Sequence, residues 1–67
     1  MSHQVRQLES VIEHYQNVLQ EIKLEITEYL LNEQQPPSIL LEQERAAIRM
    51  VHLKEQRLAD IEEILNN

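Results

Sequence analysis

The sequence predicts an all-α fold, an antiparallel hairpin of two long helices that we expect to assemble into a four-helix bundle or coiled coil. Three observations predict it. The 67-residue chain has no glycine, its two prolines are adjacent at Pro36 and Pro37, and apolar residues recur every seven positions. Long segments without glycine or proline, rich in Leu, Glu, Gln and Ile, favour helix, whereas tight β-turns usually need glycine or asparagine. The chain has room for a single domain, residues 1–67.

The first segment, near residues 3–33, is predicted to be one amphipathic helix. Its heptad positions are filled by Val5, Ile12, Leu19 and Ile26, and by Leu8, Tyr15, Ile22 and Tyr29. Val11 and Val18 widen this stripe on one side and Leu30 on the other. At 100° per residue the stripe covers about 140° of the helix surface, more than the ~100° typical of an amphipathic helix. The width predicts contact with more than one neighbour.

The break between the helices is predicted at residues 34–38. Pro36 and Pro37 lack a backbone donor, and each disfavours helical geometry in the residue before it. Ser38 is the expected N-cap of the second helix, because its hydroxyl oxygen can accept from a free backbone N–H in the first turn. A connection this short returns the chain beside the first helix, which gives an antiparallel hairpin.

The second segment, near residues 38–65, has a less regular apolar face. Its residues are Leu40, Ala47, Met50, Val51, Leu58, Ile61 and Leu65, with Ile39, Leu53 and Ile64 at the edge. Gln43 and Lys54 fall inside this face. We expect the stem of Lys54 to lie along the seam while its amine reaches water. The alternative is a polar residue that fixes register or partner.

A lone hairpin would leave much of the wide stripe in water, and large exposed apolar patches mark interaction sites. The hairpin is therefore expected to dimerise or to dock on another protein. The predicted interface residues are Val11, Tyr15, Val18, Ile22, Ile26, Tyr29, Ala47, Val51, Leu58 and Ile61. Pairs spaced by seven residues give a candidate second interface, formed by Leu24, Leu31, Leu41 and Ile48.

The composition argues against catalysis, and no enzyme activity, cofactor or metal is expected. Without cysteine or glycine the chain has no thiol nucleophile, no cysteine zinc site and no phosphate-binding glycine loop. The Glu-x-x-His motif of di-iron bundles is absent, because Val11 stands three positions before His14 and Arg49 three positions before His52. One group of potential ligands is interpreted as a solvated face: His14, Glu21, Glu25 and Glu28.

The charge balance opposes binding to nucleic acids and anionic membranes. Twelve acidic and six basic residues give a net charge of −6, which repels phosphate. Arg45 and Arg49 cluster with His52 on the outer face of the second helix, but glutamates are interspersed among them. The longest apolar runs span three residues and no basic leader is visible, so we expect no membrane span, no signal peptide and a cytoplasmic location.

The break Gln35-Pro36-Pro37-Ser38 and the Glu/Gln-rich stretch 41–48 carry a family resemblance. In length, charge and pattern, about the last two thirds of the chain resembles the small co-chaperones of type III secretion needle subunits. The first helix is longer and more regular than in that family. The resemblance implies a hairpin whose apolar face holds an aggregation-prone subunit, and it assigns no individual functional residue.

The expected function is therefore a non-catalytic interaction module, a small acidic adaptor or co-chaperone that self-associates or holds a protein partner. Two alternatives remain open. One is an acidic inhibitor of a nucleic-acid enzyme, whose binding would depend strongly on salt. The other is a dimeric RNA-binding four-helix bundle, in which Arg45 and Arg49 would contribute to affinity.

Replacing Ile22 with aspartate is expected to abolish assembly, because an unpaired charge would be buried in the seam. Sedimentation measures the effect directly. An assembly of unchanged mass with Ile22→Asp would contradict the prediction.

Overall fold

The computed structural model describes residues 3–66. Helix α1 is His3–Leu31 and helix α2 is Ser38–Asn66, and the two pack against each other along their length. Val5 and Glu9 lie beside Glu62 and Leu65, so the helices run antiparallel. The predicted helical hairpin is confirmed. Helix α1 ends two residues earlier than expected, and α2 continues one residue further.

The seam between the helices follows the heptad of α1. All eight heptad residues of α1 are buried or half-buried, and Val5, Ile12 and Ile22 are the most enclosed. In α2, Leu40 and Ala47 are buried. Ile22, Leu40 and Ala47 form the centre of the core, and the side chains packed around it are Val18, Leu19, Ile26 and Tyr29.

On α2 the seam passes through two charged residues. The inward positions alternate by four and three residues, and those that are buried or half-buried are Leu40, Glu44, Ala47, Val51, Lys54, Leu58 and Ile61. Leu65, the last residue expected on this face, is 62% exposed. Glu44 is half-buried. Gln43 is exposed but lies on the same side of α2 as Ala47 and Met50, so it stands at the edge of the apolar face. Lys54 is half-buried, as expected for a stem that lies along the seam.

Helix α1 ends in a Schellman motif. The N–H of Gln34 donates to the carbonyl of Tyr29 at 2.8 Å, and the N–H of Glu33 donates to the carbonyl of Leu30 at 3.0 Å. Glu33 has a φ of 57°, the left-handed conformation that this motif requires. Glycine usually fills the position, because a Cβ makes this conformation costly. In a chain without glycine, Glu33 bears that cost.

The N-cap of helix α2 lies one residue earlier in the chain than predicted. The carbonyl of Pro37 accepts from the N–H groups of Leu40 and Leu41 at 3.0 and 3.3 Å. The residue whose carbonyl accepts the first helical hydrogen bond is the N-cap, so Pro37 holds that place. Ser38 is the first residue inside the helix, and its expected N-cap role is wrong. The Schellman motif at Glu33 ends α1, and the two prolines lie in the connection directly before α2.

Replacing Glu33 with glycine should raise the free energy of unfolding by about 0.5–1 kcal/mol. Relief of the left-handed conformation exceeds the extra chain entropy that glycine loses on folding. Urea denaturation at one protein concentration measures the change. The control Gln20→Gly, at an exposed position inside α1, should lower stability by about 1 kcal/mol. Destabilisation by Glu33→Gly would contradict the assigned motif.

Replacing Glu44 with leucine should stabilise the fold by about 1 kcal/mol, because an apolar side chain fits the half-buried seam better than a carboxylate. The matched control is Glu55→Leu at an exposed position of the same helix, where the expected change is within about 0.5 kcal/mol. Urea midpoints for both variants provide the test. Equal effects at the two positions would show that Glu44 does not face the seam.

Candidate protein interface

An open groove lies between the two helices on one side of the hairpin, mainly in the half nearer the loop. We call its lining the groove face. From α1 it takes Tyr15, Val18, Glu21, Ile22 and Glu25, and from α2 it takes Gln43, Ala46, Ala47 and Met50.

Helical spacing explains why these residues meet. Residues three and four apart share one side of a helix, and the groove residues of each helix follow this spacing. The core contact between Ile22 and Ala47 sets the two rows level with each other. The groove is therefore a consequence of the register that the seam imposes.

The floor of the groove is apolar. Ile22 and Ala47 are buried beneath it, while Tyr15, Val18 and Met50 are half-buried. Ala46 lies on the α2 side and is exposed. A floor of this kind offers apolar surface from both helices to an occupant, and its removal from water would favour binding by about 25 cal/mol per Å².

The apolar surface continues from the groove toward the chain ends. Val11, one heptad before Val18, is 38% exposed, and Leu53, one heptad after Ala46, is 58% exposed. The acidic groove residues Glu21 and Glu25 are exposed and lie nearer the loop. The glutamates of this side thus lie within the groove, whereas Val11 and Leu53 extend its apolar surface toward the termini.

Four of the ten predicted interface residues line the groove: Tyr15, Val18, Ile22 and Ala47. Ile26 and Tyr29 instead pack against the core of the hairpin itself. The half-buried α2 residues Val51, Leu58 and Ile61 follow the seam, and Val11 lies beyond the groove. The predicted set omitted Ala46 and Met50, because these residues are identified only when the side of α2 that borders the groove is known.

The candidate second interface does not form one continuous surface. Leu24 and Leu31 are exposed on α1, on the side turned away from the seam. Ile48 follows the buried Ala47 in sequence whereas Ala46 precedes it, so Ile48 and the groove lie on opposite sides of α2. Leu41 is half-buried on the same side as Ile48. The four residues therefore provide two separate lines.

Other chemistry-bearing residues are not gathered into a site within residues 3–66. No group of three or more His, Asp or Glu side chains there could hold a metal ion. The ring of His14 meets Tyr15 edge-on with centroids 5.6 Å apart. Arg45 and Arg49 line a shallow depression together with Glu42, so this basic surface carries mixed charge.

Neither helix of the described chain is long and apolar enough to cross a membrane. Comparison of the chain with protein families, with characterised proteins and with solved structures gave no match.

Proposed function

We propose that this chain is a non-catalytic protein–protein interaction module, a small acidic adaptor or co-chaperone. Its groove face binds the apolar side of a helix from a protein partner. The observation that supports this proposal is the apolar groove floor, which both helices build and which lies open along one side of the hairpin.

The shape of the molecule favours surface binding over catalysis. Its Cα atoms span 52 × 15 × 14 Å, the dimensions of a single layer of two helices. Small-molecule sites are usually concave and enclose most of the ligand, and a layer this thin encloses little. A helix laid in a groove, by contrast, needs only a long apolar channel.

The proposed mechanism is helix-in-groove docking. Apolar residues of the partner at helical spacing would contact Val18, Ile22 and Met50. The resemblance to needle-subunit co-chaperones points the same way, because a hairpin that covers an apolar helix prevents its aggregation.

A photo-crosslinking residue tests the groove face in living cells. Benzoylphenylalanine placed at Ala46 should give a discrete covalent adduct with a protein, because Ala46 is exposed and borders the groove. The same residue at Ala59, which is exposed on α2 but does not line the groove, is the matched control and should give none. Absence of an adduct from position 46, or equal adducts from both positions, would contradict the proposal.

A further inference from the structure

We infer that the groove face is occupied by a second copy of this chain, so that two hairpins stack face to face as a four-helix bundle. This inference rests on the proposed role of the groove face as a docking surface, and it names the occupant.

The single hairpin leaves a large surface in water. The chain exposes 5566 Å², whereas a compact monomer of its 8.0 kDa mass exposes about 4,450 Å². The excess, about 1,100 Å², exceeds the ~800 Å² that each partner buries in a standard interface. The Cα radius of gyration, 15.5 Å, likewise exceeds the ~11 Å of a compact domain of this length.

A second copy would cover this excess surface. A compact protein of twice the mass exposes about 7,400 Å², so two stacked copies would reach that value by burying about 3,700 Å² in total. Obligate homodimers bury 2,000–5,000 Å². The surface that a second copy would have to cover therefore falls within the range of obligate homodimers.

The core of the single hairpin is small. Only five apolar side chains in the described chain are buried, and each of them still exposes 5–9% of its surface. A fold with so small a core needs its covering partner in order to be stable. A second copy is present wherever the chain is made, and it can therefore act as that partner.

Charge separates this occupant from a basic partner. Each copy carries a net charge of −6, so two copies repel each other, and salt screens that repulsion. Self-association should therefore strengthen between about 20 and 500 mM salt. Docking of a basic helix beside Glu21 and Glu25 would weaken over the same range of salt concentration.

The test is the mass of the purified full-length chain, measured by sedimentation and light scattering between about 1 and 100 µM. We expect twice the 8.0 kDa chain mass. Ala46→Glu should weaken the dimer by about tenfold or more, because it places a charge on the groove face. The control Ala59→Glu makes the same charge change on the same helix and should leave the dimer intact.

Three results would overturn the inference: a wild-type monomer at about 100 µM, a dimer unaffected by Ala46→Glu, or equal dissociation by both variants. Should Ala46→Glu lose its helical circular dichroism, crosslinking of the purified chain through benzoylphenylalanine at position 46 replaces it. The product must then have twice the chain mass. A monomer that crosslinks to another protein in cells would refute the second copy and leave the proposed function standing.

Discussion

The structure depends on one constraint: a helix with a single neighbour can bury only one stripe of its surface. In this hairpin the shared stripe encloses Val5, Ile12 and Ile22 of α1, with Leu40 and Ala47 of α2. Apolar residues outside it stay in water, among them Leu53 and Ile64, which are 58% and 73% exposed. The groove face is the region where that uncovered surface is continuous across both helices.

The connection brings the two helices into the register that the seam stabilises. The left-handed Glu33 and the two prolines reverse the chain within six residues, and the register that follows places Ile22 against Ala47. A one-residue change in this register would turn different side chains of α2 toward α1. The loop therefore affects the groove through the register of the two helices, although none of the groove residues lies in it.

The sequence was sufficient to predict the helices and the hairpin, because heptad spacing and adjacent prolines act locally. It was not sufficient for features that depend on the relation between the helices. Gln43 and Glu44 are neighbours of similar size, and only the packing shows that Glu44 faces the seam. Likewise, Ala46 and Ile48 flank the same buried alanine, and the side that borders the groove follows from the position of α1. The N-cap is Pro37 and not Ser38, because the carbonyl of Pro37 accepts the first hydrogen bonds of α2, from the N–H groups of Leu40 and Leu41.

The most direct measurement of whether this core is complete is the urea midpoint of unfolding as a function of protein concentration. If covering of the groove face by a second copy completes the core, folding is coupled to association, and mass action requires the midpoint to rise with concentration. Over about a hundredfold range of concentration the rise should correspond to about 2.7 kcal/mol per mole of dimer. A midpoint that stays constant over that range would show that the hairpin is stable alone, and it would contradict an incomplete core.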